Sequence, residues 1–160
     1  MQDLMVAKAQ WREALEVAEA AAREAGEIAM RGWRQGAGIS KKGRFDLLTE
    51  FDLACERAIR ARLEGAFPSH RIIGEEGEES GSGELVWYVD PIDGTTNFAH
   101  GHFFFATSIA LYRGSEGLAG VVHAPALGVT WTACKDGGAL RNAEACRVSE
   151  RARLDEAGCA

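Results

Sequence analysis

Apolar residues recur along the first part of the chain with the period of a helix. Trp11, Leu15, Ala18, Ala22, Ala25 and Ala29 follow one another at spacings of four and three. That spacing predicts one long helix from Met1 to about Trp33 with a single apolar face. Gly32 and Gly36-Ala-Gly38 end it. The basic stretch Ile39 to Phe45 reads either as a loop approaching an anionic substrate or as a solvated connector, and the sequence by itself favours the connector. A second helix is expected from about Glu50 to Phe67, where Phe51, Cys55, Ile59, Leu63 and Phe67 step by four along a buried side. Asp52, Glu56, Arg60 and Glu64 step by four along another side, with Glu56 and Arg60 spaced as an ion pair. Thr49-x-x-Asp52 has the form of a capping box, which gives Asp52 a structural task at the helix start. Pro68 stops the helix.

Beyond Pro68 the pattern changes to short runs of strand-favouring residues. Arg71-Ile-Ile-Gly-Glu-Glu76 reads as a short strand ending in two acids, and Leu85 to Val89 as a strand ending at Asp90. Phe103 to Tyr112 and Leu118 to His123 flank Gly114-Ser-Glu-Gly117, which suggests a hairpin. Val129 to Cys134 is a further strand, and Lys135-Asp-Gly-Gly138 turns into Ala139 to Asn142. Ala145 to Val148 is a short last strand. Helices followed by strands predict an α+β layered domain, two long helices packed on a mainly antiparallel sheet.

Composition narrows the function classes. The chain has 160 residues, 46% hydrophobic and 26% charged, ordinary for one globular domain with a sizeable core. A net charge of -6 argues against nucleic-acid binding. It leaves room for a small phosphorylated substrate, because a bound metal supplies positive charge locally. No run approaches the ~20 apolar residues of a membrane span, and no signal peptide is visible. Cys55, Cys134, Cys146 and Cys159 form no C-x-x-C pair, so zinc is not expected. Free thiols point to the cytoplasm.

The chemistry concentrates in Tyr88 to Gly101. Pro91 pushes Asp90 towards an extended conformation, Asp93 follows three residues later, and Gly94 permits a tight turn. Thr95-Thr96-Asn97-Phe98 can then start a helix. Two carboxylates at a strand end suit magnesium, and free N–H groups at a helix start suit phosphate. The ordinary alternative is that Asp-Pro and Asp-Gly merely solvate a turn. The length of the pattern, directly after a buried-looking strand, favours metal-assisted attack on a phosphate ester. Glu75 and Glu76 belong either to this site or to the acidic loop that follows. His100 and His102 read as loop polar groups, since oxygen ligands suit magnesium.

Gly74-Glu75-Glu76, Asp90-Pro91-Ile92-Asp93-Gly94-Thr95-Thr96-Asn97-Phe98, Gly120-Val121-Val122 and Gly137-Gly138-Ala139 occur in an order that resembles the inositol monophosphatase family. Asp46 to Asp52 is similar to that family's D-x-V-T-x-x-D segment, with Leu48 in place of valine. The resemblance implies a magnesium-dependent, lithium-sensitive phosphomonoesterase and the first half of the layered α/β/α/β/α sugar-phosphatase fold. By position, Glu75, Asp90, Asp93 and the Ile92 carbonyl would bind metal. Gly94, Thr95 and Thr96, with Asp93, would hold substrate phosphate, and Lys41 would approach it. Thr95 and Asp52, with Glu75, would orient and deprotonate a metal-activated water. The family's W-D-x-A-A-G segment is not found in this sequence. The resemblance therefore implies an amino-terminal domain over 1–160, with an uncovered apolar surface and a homodimer or other association through it. A non-catalytic remnant or metal-binding module is the alternative. Within enzymes, histidinol phosphate, fructose 1,6-bisphosphate or phosphoadenosine phosphate remain open as substrates.

Overall fold

The structure, a computed structural model, describes residues 2–35, 44–153 and 155. Helix α1 spans Gln2–Arg34 and α2 spans Arg44–Ala66. Seven strands follow: β1 Arg71–Gly74, β2 Leu85–Asp93, β3 Ala106–Arg113, β4 Glu116–Ala124, β5 Val129–Cys134, β6 Gly138–Arg141 and β7 Glu144–Cys146. A five-residue helix α3, Thr95–Ala99, lies between β2 and β3. The strands form one sheet in chain order. Only β1–β2 is parallel, and the other pairs are antiparallel. This is the expected α+β arrangement.

Both long helices cover one face of the sheet, α1 over β3 and β4 and α2 over β2. Alanine makes this close approach feasible: Ala14, Ala18, Ala21, Ala22, Ala25 and Ala29 are all buried on α1. Cys55 Sγ on α2 donates to Ala25 O across the helix interface at 3.3 Å. A Cβ at Gly32 would stand 2.8 Å from the Phe51 ring, so the glycine admits that side chain. Trp87, Val89, Ile109, Leu111 and Val121 complete the core from the sheet. At about 25 cal/mol per Å² of apolar surface, this layer supplies the main drive to fold.

Two local expectations are corrected. Helix α2 starts at Arg44, so Thr49 lies within it. Thr49 therefore does not cap the helix, and Asp52 is a buried interior residue, 4% exposed, not a partner at the first turn. Strand β2 also does not end at Asp90 but continues to Asp93. Pro91 has no N–H for the ladder, and the register shifts between Asp90 and Asp93. Thr107 Oγ1 instead donates to Pro91 O at 2.9 Å.

The opposite face of the sheet carries no helix among the described residues. Register aligns Tyr88, Ala110, Gly120, Ala133 and Ala139 in one row and Asp90, Ser108, Val122 and Trp131 in the next. Tyr88, Val122 and Trp131 are exposed there. None of the described helices is long and apolar enough to cross a membrane.

Candidate active site

The parallel pairing of β1 and β2 decides where two acids go. Gly74 pairs with Val89, and the ladder extends one step further because Glu75 N–H donates to Val89 O at 3.1 Å. Side chains alternate along strands, so Glu75 and Asp90 fall side by side on the open face. Both line one cleft of ≈ 280 Å³ with Ile73, Tyr88 and Ser108. Asp90 Oδ1 is buried and has no hydrogen-bond partner.

The electrostatics of the cluster are those of crowded acids. Asp90 is pushed up to about 7, first by burial, then by the charge and hydrogen bonding of Glu75 and the charge of Asp93, with a backbone hydrogen bond from Ile92 opposing. Asp52 reaches the same cluster from α2. It is also pushed up to about 7, by burial first and then by Glu76, Asp90 and Glu75. Asp93 is exposed at the end of β2.

The turn that follows is held rigidly. Gly94 sits at φ 87°, where a Cβ would also lie 2.8 Å from Phe104 O, so only glycine fits without strain. Asn97 Nδ2 donates to Phe104 O at 2.8 Å. Phe98 anchors α3 from below, edge-on to Phe105 at 5.1 Å and against Phe51 at 6.3 Å. Thr95 Oγ1 donates to Ile92 O at 3.0 Å, so its proton is directed at that carbonyl. The first N–H groups of a helix, here those of Thr95 and Thr96, have no partner within it. Thr96 is exposed. His100 and His102 are exposed too. Lys41 lies outside the described residues.

A family model for the inositol monophosphatase family matches residues 10–160. The chain belongs to this family. It is 43% identical over 125 residues to "Inositol monophosphatase 2" of Solanum lycopersicum, covering 74% of this chain and 47% of that protein. It is 44% identical over 116 residues to "Fructose-1,6-bisphosphatase/inositol-1-monophosphatase" of Thermotoga maritima, covering 72% and 45%. Among solved structures, the extragenic suppressor protein suhB of Bartonella henselae superposes with a TM-score of 0.78 at 36% identity, covering 90% of this chain and 57% of that one. The chain thus spans about half the length of the curated relatives it matches.

The donor set fits a hard divalent cation in part. A buried orphan oxygen on Asp90, whose pKa is raised by burial and by its acidic neighbours, lacks a countercharge, and a cation would supply it. The Ile92 carbonyl retains a second lone pair beyond its bond to Thr95. Against this, no group of three His, Cys, Asp or Glu side chains among the described residues is placed to close on one ion. The structure gathers Glu75 and Asp90 most closely and leaves Asp93 at the rim.

One participant has only an ion-pair role in the sequence reading, with Arg60, and the structure shows that pair. Glu56, on the polar step of α2, is 2% exposed and reaches the β1–β2 loop. Its helical spacing named Arg60, but nothing in that spacing says that it also meets the β1–β2 loop.

Proposed function

We propose that this chain supplies a magnesium-dependent phosphomonoesterase site for a small sugar or alcohol phosphate such as an inositol phosphate. The observation that carries the proposal is the shared cleft of Glu75 and Asp90, with an orphaned Asp90 oxygen, beside the rigid Gly94 turn. Glu75, Asp90, Asp93 and the Ile92 carbonyl would hold Mg²⁺. When bound, the ion supplies charge neutralisation of the phosphate and a lowered pKa for water. Lithium sensitivity and a cytoplasmic location belong to the same proposal.

The chain's own residues have definable tasks. The N–H groups of Gly94, Thr95 and Thr96 would receive the tetrahedral phosphate, with Asp93 and Lys41 assigned to the same group by the family resemblance. Asp52, with a pKa of about 7, is matched to accepting a proton near neutral pH. Glu75 would share that task. Thr95 ties the turn to Ile92, so the anion-binding N–H groups and the carbonyl donor keep a fixed separation.

A second reading has its own support. Only two carboxylates share the cleft, and three do not close on one point among the described residues, which favours a metal-binding module without turnover. Hydrolysis of inositol 1-phosphate by the purified protein separates the two. Magnesium-dependent phosphate release abolished by Glu75→Gln supports the phosphatase. Absence of release at saturating magnesium, with the metal bound, supports the module. Fructose 1,6-bisphosphate, histidinol phosphate and phosphoadenosine phosphate in parallel assays rank the substrates.

A further inference from the structure

Glu56 and Arg60 form a largely buried ion pair on α2, Nε to Oε1 at 2.7 Å, with side chains 3% and 14% exposed. Taking two charges out of water is costly, and an apolar pair of similar size would often be as stable or more so. The pair therefore needs a reason beyond stability, and its contacts give one. Glu56 Oε2 accepts the backbone N–H of Glu76 at 2.9 Å. A Cβ at Gly74 or at Gly77 would run into Glu56 Oε1, so the carboxylate lies against the backbone on both sides of Glu75 and Glu76. Arg60 Nη1 donates to Ser80 Oγ at 3.2 Å, and Ser80 Oγ donates to Glu64 Oε1 at 2.9 Å. Ser80 in turn exchanges two backbone hydrogen bonds with Ile72 on β1. One face of α2 thus grips both ends of the loop that carries Glu75.

We propose that the Glu56–Arg60 pair is a positioning element that fixes Glu75 beside Asp90, so that the cleft is set for a cation before one arrives. The cation part rests on the metal reading given under Proposed function. The positioning part stands on the contacts of α2 alone. Side chains that orient metal ligands in this indirect way change metal affinity by about 10–100-fold when removed.

The test uses the double variant Glu56→Leu/Arg60→Leu, which removes both charges together and leaves neither buried alone. The readouts are thermal unfolding, Mn²⁺ affinity by electron paramagnetic resonance, and hydrogen exchange at the Glu75 amide. That amide bonds to Val89 O and not to Glu56, so a loss of protection reports displacement of Glu75 itself. We expect unfolding at or above the parental temperature, Mn²⁺ affinity lowered about 10-fold or more, and Glu75 exchange about 10-fold faster. Parental Mn²⁺ affinity in a folded double variant overturns the proposal. If the parent takes up no Mn²⁺, the metal reading falls, and the Glu75 amide still decides the positioning claim: unchanged exchange overturns it. Should the double variant not fold, Glu56→Gln supplies the same three readouts with the side-chain shape retained.

Discussion

Asp52→Asn isolates the electrostatic load that the acid cluster places on the fold. Moving a carboxyl from 3.8 to about 7 corresponds to about 4 kcal/mol against its ionised form. The folded chain holds a proton on Asp52 that the unfolded chain releases between about pH 4 and pH 7, so parental stability falls as pH rises through that window. Above it the full cost is present, and below it the cost vanishes. Asparagine keeps the shape and cannot ionise. Water drawn in around the charged cluster reduces the cost, so we expect a gain of about 1–4 kcal/mol over the parent at about pH 8. At about pH 4, the lower edge of that window, the gain should be largely gone. Urea unfolding of both proteins in chelator at the two pH values measures it, and the difference between the two gains is the readout. Magnesium added at the higher pH should stabilise the parent more than the variant, since the ion offsets the charge that the variant lacks. Equal effects of the substitution at both pH values would refute the reasoning.

Other expectations follow from single residues. Gly94→Ala forces a Cβ into a φ of 87° and to 2.8 Å from Phe104 O. It should cost about 1–3 kcal/mol in thermal unfolding, and a parental melting temperature would count against the rigid turn. Trp131→Lys places a charge on the open sheet face at a residue 38% exposed. If that face drives association, sedimentation equilibrium should show self-affinity weakened about 10-fold or more, and unchanged sedimentation would remove this face from the interface.

The helices were largely legible because burial imposes a period, and the period is written in Ala18, Ala22, Ala25 and Ala29 and in Cys55, Ile59 and Leu63. What neighbours do was not. The Asp52, Glu56, Arg60 and Glu64 step has the spacing of a solvated helix face, yet Asp52 and Glu56 are buried because the β1–β2 loop lies across it. The continuation of β2 through Pro91 was missed because proline's local penalty applies to the ladder N–H, and here the register shift and Thr107 accommodate it. Glu75 and Asp90 were named from the motif. Their adjacency follows from the parallel β1–β2 register, which no local spacing encodes. The role expected for Thr95, orienting a water together with Asp52 and Glu75, depends on a hydroxyl whose direction the sequence cannot specify. In the structure it points to Ile92 O.

The central claim is that Glu75 and Asp90 share one cation. Anomalous diffraction from crystals soaked in Mn²⁺ tests it most directly, because the manganese edge locates the ion without assumptions about density. The account predicts a peak in the cleft between the Glu75 and Asp90 carboxylates, within reach of Ile92 O, that disappears in Asp90→Asn. A manganese peak elsewhere on the chain, or one that persists between these residues in Asp90→Asn, would contradict it.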